Sequence, residues 1–194
     1  MTTAELEMHI DPILLDLPES IETERMLLRS PRAGDGQAIY EATIESIDEL
    51  RLWMPWVRDE QSVERSEKSV RVAVAKWILR EDLRFSMHDK HTGRFIGGTG
   101  LHRPSWDDGR FEIGYWIRSS EANKGYVTEA VRALTVWAFD VLRAQRIEIR
   151  MDARNEKSWR VAERAGYTLE AELAKDRRAL DGVHSTTRIY ARVK

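Results

Sequence analysis

Between Arg110 and Met151 the hydrophobic period changes from two to helical and back to two, and no other stretch narrows the choice of fold as much. Arg110 to Ile117 reads as a strand, and a loop containing Gly125 follows. Val127, Val131, Leu134, Ala138 and Val141 then share one helical face, and Ile147, Ile149 and Met151 alternate in a second strand. Strand, helix and strand in succession favour a parallel pair joined by a right-handed crossover.

The flanking segments read as the rest of a mixed sheet. Met26 to Ser30 is a short first strand, Gly34-Asp35-Gly36 a turn, and Gln37 to Leu52 a helix that stops near Pro55. Ser62 can cap a second helix, in which Val70, Ala73, Val74, Trp77 and Ile78 form the buried stripe. Arg84 to Asp89, Arg94 to His102 and Arg110 to Ile117 form an antiparallel meander with turns at His91-Thr92-Gly93 and Asp107-Asp108-Gly109. After Met151, a short helix from Asn155 to Ala165 ends at Gly166, and Tyr167 to Leu173 with Thr187 to Val193 supply two final strands. The fold class is α+β, with a mixed, mostly antiparallel central sheet flanked by about four helices.

Composition sets the broad class. With 42% hydrophobic and 33% charged residues and seven Trp, the 194-residue chain has the makings of one packed core. No run approaches the roughly eighteen apolar residues of a membrane helix. Cysteine is absent, which excludes disulfides, thiol nucleophiles and Cys-based metal sites and points to a reducing cytoplasm. The five His contain no H-x-x-x-H pair, so no metal is expected. A net charge of −2 argues against a dedicated nucleic-acid binder. Residues 1–24 hold seven acids and no Lys or Arg, and read as an acidic extension that drapes over the domain or dangles. The single domain expected over 25–194 keeps 31 bases against 26 acids, a balance that suits an anionic ligand.

The place for such a ligand is the loop from Ile117 to Thr128, where a strand's carboxyl end feeds a helix N-terminus with unpaired N–H groups and a positive dipole end. Gly125 allows close backbone approach, and Lys124 adds charge. Neither a full dinucleotide fingerprint nor a P-loop is present. Four runs occur in order: Glu112-Ile113-Gly114-Tyr115-Trp116-Ile117, Lys124-Gly125-Tyr126-Val127-Thr128-Glu129-Ala130, Asn155-Glu156-Lys157-Ser158 and Ala165-Gly166-Tyr167. Together they resemble the GNAT superfamily of acetyl-coenzyme A-dependent N-acetyltransferases. The RimJ/RimL-like branch, which acetylates protein N-termini, is the nearer likeness, strengthened by Trp53-Met54-Pro55-Trp56.

The resemblance implies a parallel strand pair that splays, so that backbone groups near Trp116 and Ile117 pair with the pantetheine arm and polarise the thioester. It further implies that Asn123, Lys124, Gly125, Tyr126, Val127 and Thr128 hold the pyrophosphate, that Asn155 bonds the pantetheine, and that Ser158 lies near the sulfur and protonates the thiolate. By the same resemblance, an amine attacks acetyl-coenzyme A directly in a ternary complex. The acceptor is a protein or peptide N-terminus or, as the alternative, a small amine such as a polyamine or aminoglycoside. A homodimer is common in the family. Ala122 stands where the superfamily often has Gln or Arg, Asn123 replaces a frequent glycine, and Val127 replaces a smaller residue. Arg178, before Leu180-Asp181-Gly182, and Thr186 occupy positions where members of the branch carry acids. That leaves a non-catalytic acetyl-coenzyme A-binding module as a third reading. Glu112 is the leading base, because on an alternating strand it shares a face with Gly114 and Trp116, with Asp176 and His102 in reserve. Trp53 and Trp56 are candidates to line the acceptor entrance.

Overall fold

The computed structural model describes residues 11–194. The described residues form one eight-stranded sheet and five α-helices. Ser20–Glu22 (β1) pairs antiparallel with Met26–Arg29 (β2), so part of the acidic segment joins the sheet, with Leu17 and Ile21 packed against the core. Residues 1–10 of the expected extension lie outside the described residues.

The single helix expected over Gln37–Leu52 is two, Gly36–Glu45 (α1) and Ile47–Trp53 (α2), separated by Ser46 at φ −113°, ψ 14°. Tertiary bonding explains the break. The fully buried Ser46 accepts the backbone N–H of Ser119 on its hydroxyl at 2.8 Å, and Glu45 beside it takes Arg118 at 2.7 Å. The next helix, Val63–Ile78 (α3), is capped by Ser62, whose hydroxyl accepts from Arg65 N at 3.1 Å. Val70, Ala73 and Trp77 are buried as the stripe requires, but Ile78, in the last turn, is exposed.

The meander is Leu83–Asp89 (β3), Phe95–Ser105 (β4) and Arg110–Ile117 (β5). The crossover runs through Tyr126–Val141 (α4) into Arg146–Asp152 (β6). Glu156–Arg164 (α5) follows, then Thr168–Arg178 (β7) and His184–Val193 (β8), a hairpin longer than the two expected strands. The sheet order is β1-β2-β3-β4-β5-β6-β8-β7, and every pair is antiparallel except β5–β6. Val131, Leu134 and Ala138 of α4 are completely buried against Phe111, Ile113, Ile147 and Ile149, while Val141 at the helix end is exposed. Among the described residues no helix is long and apolar enough to cross a membrane.

Phe85 ties the helices to the sheet. It meets Trp77 of α3 edge-on at 4.8 Å between ring centroids and Trp137 of α4 at 5.5 Å. Phe85→Ala is expected to cost about 3–5 kcal/mol, through lost burial and an unfilled cavity. Denaturant unfolding checks this, and a loss below about 1 kcal/mol would show that the three rings repack freely.

Candidate active site

The parallel pairing of β5 with β6 lasts only from Arg110 and Arg146 to Glu112 and Glu148. Beyond Glu112 the two strands part, although β5 stays paired with β4 as far as Gly97 and Ile117. The β5 edge from Ile113 to Ile117 therefore faces a cleft, with backbone groups that β6 does not pair. Trp116 and Ile117 lie on that stretch.

The cleft leads to the loop before α4. Asn123 and the N-cap Gly125 both have positive φ, +62° and +84°, and no side chain caps the helix. The first N–H groups of α4 at Tyr126, Val127 and Thr128 therefore have no intrahelical partner, and they point out of a helix end carrying about half a positive charge. Lys124 is at the loop as expected, but its ammonium lies 2.9 Å from Glu121. A second cation, not singled out in the sequence, stands beside it. Arg25 donates to the Lys124 carbonyl at 2.9 Å, stacks over the Tyr126 ring at 4.4 Å and pairs with Glu129. Burial would raise the Glu129 carboxyl, but hydrogen bonds from Thr23 and Arg25 more than offset it and hold the group below the usual carboxylate range. No local pattern announces Arg25, which lies 99 residues from Lys124.

On the far side of the cleft, Asn155 caps α5, its Oδ1 accepting from Ser158 N at 3.1 Å. Its amide NH₂ has no acceptor among the described residues, so one side chain can both cap the helix and donate into the cleft. The Ser158 side chain does no capping. Its hydroxyl lies 3.0 Å from the Tyr115 hydroxyl, which is also placed to donate to the Ser158 carbonyl at 2.9 Å. Tyr115 thus straps α5 to β5 across the opening. Burial pushes its phenol up to about 12, so it keeps its proton at any ordinary pH. Tyr115 lies within the quoted motif, and its strand parity with the core residue Ile113 was the available signal for its helix-facing role.

The opposite face of β5 carries Glu112, Gly114 and Trp116, paired across the ladder with His102, Gly100 and Gly98. Glu112 accepts from Arg103 at 2.9 Å on Oε2, and its side chain is 21% exposed. His102 bonds Asp82 through Nδ1 at 2.9 Å. Trp56 packs edge-on against Trp116 at 5.7 Å, and Phe95 completes that aromatic wall. Trp53 ends α2, outside these ring contacts. The third candidate base, Asp176, lies on β7 within 4.0 Å of Arg150. Arg178 donates to the Gly182 carbonyl at 2.9 Å and so closes the β7–β8 turn.

Residues 25–168 match the acetyltransferase (GNAT) domain family, and the chain belongs to that family. It is similar to the "Putative ribosomal N-acetyltransferase YdaF" of Bacillus subtilis (strain 168), with 28% identity over 173 residues, 88% of this chain and 92% of that protein. In fold it is similar to RimL, the ribosomal L7/L12 alpha-N-protein acetyltransferase, solved in complex with coenzyme A. The TM-score is 0.84 at 19% identity, covering 90% of this chain and 98% of that one. It is also similar to the microcin C7 self immunity acetyltransferase MccE, solved with acetyl-CoA and AMP. There the TM-score is 0.82 at 22% identity, covering 89% and 94% of the two chains. These two likenesses establish the fold, a mixed α+β sheet with one parallel pair.

The capping role of Asn155 can be read from stability. Asn155→Ala is expected to lose about 1 kcal/mol with the cap, whereas Asn155→Asp keeps a capping oxygen and unfolds within about 0.5 kcal/mol of wild type. Equal losses in the two variants, read by denaturant unfolding, would show that the cap contributes nothing.

Proposed function

We propose that the protein transfers the acetyl group of acetyl-coenzyme A to the α-amino group of a protein or peptide N-terminus, by direct attack in a ternary complex. The observation that carries this reading is the cleft beyond Glu112, which runs from an uncapped helix N-terminus to Ser158. Its parts fit the donor. The amides from Asn123 to Thr128, beside Gly125, suit the pyrophosphate. The free β5 edge near Trp116 and Ile117 and the Asn155 amide suit the pantetheine.

Bound there, acetyl-coenzyme A supplies an activated acyl group, and the protein's part is to hold, polarise and move protons. Backbone N–H groups of β5 donate to the thioester carbonyl, where negative charge develops on attack. Ser158 gives its proton to the departing sulfur while Tyr115 holds the hydroxyl from behind. Glu112 presents a carboxylate to the incoming ammonium, and Trp116 and Trp56 wall the entrance, with Trp53 at its rim. Ionic pairing on this face favours a peptide over a polycation. Glu112 is matched by Arg103, Glu148 by Arg146 and Arg150, and Asp176 by Arg150, so the face is not a strongly acidic trough. Relatives named as ribosomal N-acetyltransferases support the same acceptor class, and an acceptor of that class is met in the cytoplasm.

The reading is tested by thiol release with Ser- and Ala-initiated peptides against spermidine as competitor amine, and peptide turnover is the expected result. Gly125→Val forces a branched side chain to φ +84° and should weaken coenzyme A binding at least about ten-fold by calorimetry. An unchanged dissociation constant would remove the pyrophosphate from this loop. Ser158→Ala should lower turnover about 10²-fold while coenzyme A affinity changes only a few-fold, the signature of an interaction made in the transition state. Intact turnover would leave Ser158 as no more than Tyr115's partner.

A further inference from the structure

We propose that His102, oriented by Asp82, takes the proton from the incoming ammonium, an inference that rests on the acetyl-transfer reading above. Asp82 immediately precedes β3, and His102 is on β4, so no sequence spacing joins them. His102 Nδ1 lies 2.9 Å from Asp82 Oδ1. An ionised carboxylate only accepts, so Nδ1 carries the hydrogen and the lone pair is left on Nε2. Nε2 has no partner among the described residues, and the side chain is 30% exposed.

Gly114 on β5 leaves room for the His102 ring. A Cβ on Gly114 would meet His102 Cδ2 and Nε2 at 2.9 Å, whereas one on Gly100 would first meet the β3 backbone, at Arg84 Cα and Leu83 O, with His102 Cε1 beyond them at 3.2 Å. The imidazole therefore lies over the backbone of the Gly100–Gly114 pair. It leans away from its own ladder partner Glu112, toward Trp116, along the stretch where β5 has left β6. A histidine that merely tied Asp82 to the sheet would need neither Gly114 nor an open Nε2. Ser158 reaches the cleft from the core side through Tyr115, and His102 lies on the opposite face. The two proton-handling groups thus flank the β5 edge where the thioester is placed.

The charged groups facing the ring are Asp82 just before β3, Arg84 on β3, Glu112 on β5, Arg103 on β4, and Glu148 with Arg150 on β6. Arg84 lies 3.9 Å from Asp82, and Arg103 occupies Glu112 Oε2. With Arg103 on one oxygen, Glu112 serves to attract the ammonium, and His102 removes its proton. The step balances. Nε2 accepts one proton, giving a neutral amine and an imidazolium. The nitrogen lone pair forms the C–N bond as the C–S bond breaks, and the second nitrogen proton goes to sulfur by way of Ser158. The imidazolium then returns its proton to water.

Wild type, H102Q, D82N and E112Q are assayed with Ser- and Ala-initiated peptides from about pH 6 to about pH 10. H102Q is expected to turn over about 10²-fold more slowly near neutrality. It should recover as the pH passes the α-amine's own value of about 8, where free amine forms without help. D82N should follow the same pH shape with a smaller loss, E112Q should raise KM more than it lowers kcat, and coenzyme A affinity should be unchanged in all three. Independently of turnover, the His102 ring resonance, assigned by its absence from H102Q, should shift on adding the free-amine peptide but not its pre-acetylated form. H102Q with a wild-type rate and pH profile, or a deficit uniform across pH, overturns the proposal. So does transfer of the pH effect to E112Q. A wild type that binds coenzyme A yet acetylates no peptide overturns the acetyl-transfer reading and the base with it.

Discussion

Parallel pairing between β5 and β6 ends two residues after it begins, and the rest of the site depends on that unfinished ladder. A strand edge inside a protein needs hydrogen-bond partners, because an unmet backbone group costs about 1–3 kcal/mol when water is excluded. On the proposed reading, a ligand running along the edge supplies them, and its binding free energy comes from completing the sheet. The opening has a fixed vertex. Gly109, at φ +58°, presents its carbonyl to both Gln145 N, at 2.7 Å, and Arg146 N, at 3.2 Å, and so pins the start of β5 to the start of β6. Beyond the vertex, Tyr115 reaches across to Ser158 and sets the position of α5 relative to β5. The cleft is thus held at its closed end by backbone and within its mouth by one phenol.

Glycine in a central strand normally weakens it, since it adds chain entropy and packs nothing. Here Gly97, Gly98, Gly100 and Gly114 cluster in β4 and β5, and each stands where a Cβ would collide. A Cβ at Gly97 would strike the Trp116 carbonyl and Met87, at Gly98 the Trp116 indole, at Gly100 the backbone of Leu83 and Arg84, and at Gly114 the His102 ring. The last three pair with Trp116, Gly114 and Gly100 along one face, so two rings can lie flat against bare backbone. The loss in strand propensity is the consequence of placing an indole and an imidazole low over the sheet beside the parted edge.

Much of this was legible in the sequence where local pattern suffices. The change of hydrophobic period between Arg110 and Met151 located the crossover, Ser62 and Asn155 announced their helices, and the Gly125 run located the uncapped helix end. The break at Ser46 was not legible, because it depends on Ser119 and Arg118 more than seventy residues away. Nearer partners were hidden too, because spacing along a loop or hairpin does not say which charges pair. Lys124 was visible as a cation but not as Glu121's partner, and Glu112 was visible as a carboxylate but not as Arg103's. His102 was only a reserve, because Asp82 acquires meaning when β3 and β4 pair. Tyr115 stood in plain view, its strand parity already pointing it toward the helices.

The loop's charge economy decides how an anion can be held there. Lys124 is matched by Glu121, Arg25 by Glu129, Arg94 by Glu45 and Glu121, and Arg118 by Glu45. The positive excess of the body past residue 24 is therefore not concentrated at this point as free cations. What remains for a phosphate is directional, namely the N–H groups of a turn with two positive-φ residues and the first turn of α4, reinforced by the helix dipole. Directional donors need close approach more than they need side-chain charge. On the proposed reading of this loop as the pyrophosphate site, Ala122 offers no polar group while Gly125 keeps the conformation only glycine adopts freely, so the shape of the backbone, not the count of bases, determines what the site accepts.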